Sequence, residues 1–310
     1  MMPVDIEVAG RNAETFPVLH VWGWEIALYL FLGGLAAGLL VLAGWAHRRC
    51  EPARLGPALG WMGPLLAPVV LSIGMFALFL DLENKWNVWR FYTTFRVAAP
   101  MSWGAWILIL VYPASLLFAW AAWSELGPAG ARLVTGAPFP LRRTIAGLNV
   151  ALGAALGVYT GILLGAPGAR PLWNSPLLGP LFLASGLSAG AALLVLLEKE
   201  DEWRRRLASI DLRLLGAEGV LLGLFFLALA TGGQAQRAAA ELFFGGPYTA
   251  VFWVAVAFTG MLLPVWLERL ERRGMVAHTA VPPVLILFGG LALRAVIVLA
   301  GQASQWEVLL

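Results

Sequence analysis

This sequence predicts an all-α integral membrane protein: eight transmembrane helices arranged as two parallel-repeat four-helix bundles. Three observations carry that expectation. Of 310 residues, 60% are apolar and only 13% are charged, whereas a soluble domain usually carries about 25% charged residues. Apolar runs near the roughly 20 residues that span hydrocarbon recur along the whole chain and leave no room for a separate soluble domain. Finally, Gly34-Leu35-Ala36-Ala37-Gly38 recurs as Gly186-Leu187-Ser188-Ala189-Gly190, each after an aromatic-aliphatic run, Leu30-Phe31-Leu32 and Leu181-Phe182-Leu183.

The elements follow in order. An outward segment, 1–19, is polar and acidic and lacks the basic stretch before a short apolar core that marks a signal peptide, so the first helix is expected to be retained. Spans are expected at about 20–46, 57–81, 100–123 and 144–165, the first half being 20–143 together with that fourth helix. The second half, 176–302, contributes spans at about 176–197, 212–232, 248–267 and 279–302, and 303–310 is an outward tail. Length, more than periodicity, separates these runs from buried core helices. Gly, Pro and charge fill the loops, and Trp22, Trp24, Trp45, Trp103, Trp123 and Trp173 stand near span ends as an interfacial belt requires. Four crossings per half make the two halves enter the membrane in the same direction, unlike the inverted repeats of many transporters. The GxxxG spacing is read as close helix packing through small residues, which holds the bundles together.

Orientation comes from the basic residues. Arg48, Arg49 and Arg54, then Arg132, Arg142 and Arg143, then Lys199, Arg204, Arg205, Arg206 and Arg213, then Arg269, Arg272 and Arg273 occupy one set of loops. Arg11, Lys85, Arg90, Arg96, Arg170 and Arg237 occupy the other, and Arg294 lies inside the last span. The positive-inside rule places the richer set in the cytoplasm, so both termini are expected on the periplasmic side of the inner (plasma) membrane. A net charge of +3 in short clusters forms no continuous basic face, and no nucleic-acid partner is expected. The single cysteine, Cys50, rules out an internal disulfide and an iron–sulfur cluster held by this chain alone. His20, His47 and His278 all fall at span ends, where a haem ligated deep between helices would not find them, so no haem is expected.

Ionisable side chains in hydrocarbon cost at least about 2.5 kcal/mol on insertion scales, so each is a site candidate. Glu25, Asp81, Glu218 and Arg294 qualify. Glu25 and Tyr29 share a helix face that continues to Gly33, where the absent side chain leaves room for a ring. With the N-terminus outside, Glu25 lies roughly 6 Å and Tyr29 roughly 12 Å below the outer boundary. Tyr159, Thr160 and Gly161, then Asp81, then Ser102 and Trp103, then Trp173 and Asn174 collect at similar depth. The bland alternative is an aromatic belt with Asp81 at the water boundary. Glu218 falls in the inner half of span six and Arg294 in the outer half of span eight, depths too different for a pair. Each would instead satisfy helix backbone or line a proton path.

The stretch from Trp24 to Gly38, then Phe79-Leu80-Asp81-Leu82, Pro100-Met101-Ser102-Trp103-Gly104-Ala105-Trp106, and Tyr159-Thr160-Gly161-Ile162-Leu163-Leu164 followed by Trp173-Asn174, resembles the NrfD/PsrC family of polysulfide reductase membrane subunits. The resemblance covers essentially the whole chain. It implies eight helices in two bundles without a cofactor of their own, and exchangeable menaquinone or ubiquinone near the outer face. It also implies electron exchange with a ferredoxin-like iron–sulfur subunit that serves a molybdopterin catalytic subunit, in a complex of the polysulfide or thiosulfate reductase or formate dehydrogenase type. The Arg90-Phe91-Tyr92-Thr93-Thr94-Phe95-Arg96 stretch is similar to members of those last classes. Glu25 and Asp81 are then the expected catalytic carboxylates, and Tyr29, Gly33, Ser102, Trp103, Tyr159, Trp173 and Asn174 the expected quinone contacts. One departure stands: Tyr29 replaces a histidine that contacts quinone in a family member, which shifts ligation toward Glu25.

Quinone chemistry needs an apolar slot, a donor at a carbonyl, which Tyr29 or Tyr159 can supply, and a proton-exchanging group such as Glu25. Electrons must come from a partner, and the 82–99 segment, with Lys85, Arg90 and Arg96, suits an acidic docking subunit. Two alternatives remain at this point: a membrane transporter, whose site would lie near the midplane on interrupted helices, and a non-catalytic anchor.

Overall fold

A computed structural model describes residues 22–51, 54–82, 85–93, 100–126, 139–165, 170–275, 277 and 279–304. The outward segment 1–19, residues 305–310 of the tail, residues 83–84 and 94–99 of the expected docking segment, and His20 and His278 lie outside the described residues. Among the described residues the chain is all-helical, without strands, and has eight helices long and apolar enough to cross a membrane: α1 Trp24–Arg49, α2 Ala58–Asp81, α3 Ser102–Glu125, α4 Leu141–Gly165, α5 Leu178–Leu197, α6 Asp201–Thr231, α7 Thr249–Arg272 and α8 Val281–Ala303. Helices satisfy every backbone group internally, which hydrocarbon demands.

Several boundaries differ from the sequence expectation, α7 running on to Arg272 instead of about 267, and two helix starts matter most. The first helix starts at Trp24 instead of near residue 20, with extended backbone at Gly23; Glu25 occupies its first turn, and His47, Arg48 and Arg49 its last, signs that complement the helix dipole. The sixth starts at Asp201 instead of near 212. Its charged opening lowers the local hydropathy, yet Trp203, Leu207, Asp211, Leu215 and Glu218 form one buried stripe at helical spacing. The pairs Arg204–Asp201 at 3.2 Å and Arg206–Glu202 at 2.5 Å decorate its exposed side. A short helix, Gln234–Glu241, follows, its start held by the Gly233 N–H donating to Gln236 Oε1 at 2.7 Å.

Packing repeats across the two halves. The first helix packs on α2 and α4 of its own half and on α5 and α8 of the other; α5 packs on α6 and α8 of its half and on α1 and α4. At the centre, the two glycine motifs meet each other. Gly34 lies against Gly186, and Gly38 against Gly186 and Gly190, so the contact runs in the same order along both helices and they are parallel. A Cβ on Gly186 would come within 2.6 Å of the Gly34 carbonyl oxygen, and one on Gly190 within 2.7 Å of the Gly38 carbonyl carbon. Only backbone fits there.

The halves are also tied at both membrane faces. On the face bearing the arginine-rich loops, Glu198 accepts from the backbone N–H groups of Ala58, Lys199 and Glu200 at 3.3, 2.9 and 3.2 Å, and Trp203 Nε1 donates to the Arg54 carbonyl at 2.8 Å. The π-helical turn Ala58–Met62 opens α2, and His47 Nε2 donates to its Leu59 and Gly60 carbonyls at 3.2 and 2.8 Å. On the opposite face, the Gln302 side chain pairs with both backbone groups of Trp22, at 3.1 and 2.8 Å, and so anchors the start of α1 to the end of α8.

Candidate functional site

A cavity of about 230 Å³ opens in the first bundle near the face opposite the arginine-rich loops. Its wall draws on α1 (Trp22 before it, then Ile26 and Tyr29), α2 (Met75, Leu78, Asp81), α3 (Gly104, Ala105, Leu108) and α4 (Tyr159, Leu163), while Leu82, Val88 and Tyr92 close it from above. The lining is apolar apart from Asp81 and three phenols. Such a few polar groups converging on an apolar slot is the usual composition of a small-molecule site.

Local structure explains how each group arrives. Tyr29 stands one turn below Ile26 on α1 and is 2% exposed. Tyr159 reaches from α4 to α3 so that its hydroxyl pairs with the Gly104 backbone, in space that any side chain at 104 would fill. Asp81 ends α2, half-buried, where the helix stops at the extended Leu82. Tyr92 sits on the short helix Trp89–Thr93, which folds back over the mouth. Burial, and after it the neighbouring Tyr112, pushes the Tyr92 phenol up, so it remains a hydrogen-bond donor at any physiological pH.

The residues expected from the sequence divide into three groups. Tyr29, Asp81 and Tyr159 line the cavity together. Glu25 lies outside the wall: it occupies the first turn of α1, folds back toward Gly23, and faces Asp81 closely enough for the two carboxylates to interact. A Cβ added at Gly33 would lie 3.4 Å from the Thr160 methyl, which leaves room for a methyl group there but not for the ring the missing side chain was expected to admit. Ser102 is buried and Trp103 is 40% exposed, and it is Gly104 and Ala105, just beyond them, that reach the cavity. Trp173 stands one layer behind, its ring 4.9 Å from that of Trp22 and its Nε1 donating to the Ile297 carbonyl at 2.9 Å. Asn174 is exposed in the turn that follows.

Glu218 and Arg294, set apart by sequence depth, belong to one network in the structure. Arg294 is fully buried at the glycine crossing, donating from Nε to the Leu30 carbonyl at 3.1 Å, from Nη1 to the Gly290 carbonyl at 2.8 Å and Ser185 Oγ at 3.0 Å, and from Nη2 to the Phe182 carbonyl at 3.2 Å. The Ser185 hydroxyl also hydrogen-bonds Glu218. A difference of roughly one helical turn in depth is within the reach of an arginine and a glutamate joined through a serine. Leu82, Val88 and Tyr92 were not among the expected contacts because chain reversal, which no single-helix pattern records, brings them to the mouth. Buried Asp211 and Glu268 were missed for another reason: both stand in charged stretches at or beyond the expected span limits, and only the 3.6-residue stripe of α6 signals the first.

Comparison with known proteins gives one family. The family model described as polysulphide reductase, NrfD, matches residues 12–304. The C subunit of polysulfide reductase from Wolinella succinogenes is 31% identical over 303 residues, covering 91% of this chain and 94% of that protein. Protein NrfD of Escherichia coli is 31% identical over 312 residues, with 92% and 96% covered, and the NrfD homolog of Haemophilus influenzae is 29% identical over 310 residues, with 92% and 95% covered.

Proposed function

This chain belongs to the NrfD (polysulphide reductase) family, and on that premise we propose that it is the quinone-reactive membrane subunit of a respiratory oxidoreductase complex, exchanging electrons with an iron–sulfur partner. The observation that carries the reading is the convergence of Tyr29, Tyr159 and Asp81 on one apolar cavity at a membrane face. At about 230 Å³ the cavity is below the roughly 300–1,000 Å³ usual for a whole drug-sized ligand, so it suits a head group without its prenyl tail. The tail has its own track: a shallow groove between α2 and α3, lined by Val69, Ser72, Ile73, Phe76, Tyr112 and Leu116, lies one turn deeper on the lipid side.

Quinone supplies the redox chemistry, taking up two electrons and two protons to become quinol. The chain's own residues supply the rest. Tyr29 and Tyr159 present hydroxyls to the carbonyl oxygens, Ile26, Met75, Leu78 and Leu108 exclude water from the ring, and Asp81, in the wall beside them, gives and takes protons at the ring oxygens. Electrons cross the roof. The Lys85–Thr93 segment that closes the cavity also exposes Trp86 at 91% and Trp89 at 58%, with Lys85 and Arg90 beside them, a surface suited to an acidic ferredoxin-like subunit that passes electrons to or from a molybdopterin subunit. In this reading the roof face is periplasmic and the arginine-rich face cytoplasmic, in the inner membrane.

Solvent extraction of the purified complex tests the proposal: menaquinone or ubiquinone should co-purify, and a quinol-site inhibitor should bind saturably and lose affinity in a variant with the cavity filled, Ala105→Trp. Absence of both bound quinone and saturable inhibitor binding would reject it.

A further inference from the structure

The second bundle carries buried carboxyls that the cavity does not use. Asp211 and Glu218 stand two turns apart on the buried stripe of α6, and Glu268 of α7 approaches Asp211 closely enough for the carboxyls to interact. Their exposures are 1%, 4% and 4%. Ser188 Oγ of α5 donates to Asp211 Oδ1 at 2.6 Å. Ser185, one turn earlier on α5, hydrogen-bonds Glu218 and accepts from Arg294. Asp211 Oδ2 and Glu268 Oε2 are buried without a hydrogen-bond partner.

A purely structural role does not account for this set. Each ionised carboxylate costs at least about 2.5 kcal/mol in hydrocarbon, and apolar side chains would pack the same helices without that cost. An orphaned buried carboxyl oxygen is where a proton or a water molecule resides. The groups are also ordered. Glu268 lies one turn from the end of α7 on the arginine-rich face, with Arg272 and Glu271 as its charged neighbours. Asp211 comes next, Glu218 roughly 10 Å further along α6, then Arg294, which bonds the Leu30 carbonyl beside Tyr29 of the cavity wall.

We propose that Glu268, Asp211 and Glu218, with Ser188 and Ser185 as hydroxyl links, form a proton relay from the arginine-rich membrane face to the level of the cavity. A proton moves by transfer from one carboxyl O–H through a hydroxyl or bridging water to the next carboxylate, so each step leaves the protein's atoms and electrons unchanged. Arg294 does not relay, because a guanidinium does not release its proton. It is a positioning residue, holding Ser185 and the Glu218 carboxylate at the cavity end, and its fixed charge repels other cations. As a source of protons for the cavity, the relay rests on the quinone reading above.

The test uses the whole complex in liposomes with a pH dye enclosed, driven by a reduced viologen as electron donor and a short-chain naphthoquinone as acceptor, with quinone binding, turnover and the side of proton uptake measured together. Wild type should take protons from the compartment facing the arginine-rich loops. Asp211→Asn and Glu218→Gln should slow turnover by about a hundredfold, the scale of losing a proton-transfer group, while quinone affinity stays within about twofold, since neither touches the cavity. Wild-type turnover in both variants, or proton uptake from the other compartment, overturns the relay. If wild type neither binds nor turns over quinone, the function proposed above falls, and dicyclohexylcarbodiimide decides the relay separately. That reagent modifies protonated carboxyls in apolar surroundings: an adduct mapped to Asp211, Glu218 or Glu268 supports the relay, and none on any of them overturns it.

Discussion

Asp81 and Glu25 make opposite demands on experiment. The sequence alone favours Glu25 as the proton-exchanging group, because it is the acid nearest Tyr29 on one helix face. In the structure Asp81 lies in the cavity wall, whereas Glu25 sits outside it at the first turn of α1. Asp81→Asn keeps the volume and a hydrogen bond but removes the exchangeable proton. Loss of a general acid or base usually costs about 10²- to 10⁴-fold, so quinone-linked turnover should fall at least about a hundredfold. Glu25→Gln removes only a neighbouring charge that acts on Asp81 across a half-exposed mouth. Interactions between such groups are worth about 0.2–1 kcal/mol, at most about a fivefold change in rate. Asp81→Asn should therefore be about twentyfold slower than Glu25→Gln at the least. The assay is steady-state quinone turnover by the assembled complex, beside a dye-mediated activity that bypasses this subunit and should be unchanged in both variants. A Glu25→Gln variant as slow as Asp81→Asn, or an Asp81→Asn variant at wild-type speed, would refute the reasoning.

Three further outcomes are expected. Tyr29→Phe removes one donor from the wall and should weaken quinone binding by about 0.5–1.5 kcal/mol, roughly two- to thirteenfold, in an equilibrium titration. Gly186→Val drives a side chain into the Gly34 backbone and should abolish detergent-stable, monodisperse protein in size-exclusion chromatography, whereas Gly216→Val, with nothing within 4 Å of its added Cβ, should elute as wild type. Reporter fusions after His47 and after Ala169 should report opposite sides of the membrane, and identical locations would contradict the division of basic residues on which the orientation rests.

What the sequence discloses and what it hides follow one physical division. Properties that lie along a helix are legible: eight apolar runs give eight spans, and the GxxxG motifs announce a close crossing because only glycine allows backbone contact. Properties that lie between helices are not. Gly33 looks open from its own helix, but the Thr160 methyl from α4 leaves no room there for a ring. Trp173 has the character of a ring-stacking residue, yet Trp22 intervenes between it and the cavity. Tyr92 reaches the mouth only because the chain reverses after Asp81. Glu218 and Arg294 differ in depth along their helices, and Ser185 of a third helix joins them. The same division explains why Asp211 escaped notice: hydropathy averages it with Arg204, Arg205 and Arg206, although its side chain points inward and theirs do not. A charged stretch at the end of an apolar span therefore needs to be read residue by residue at helical period, since one inward carboxyl among outward bases carries the information that the average removes.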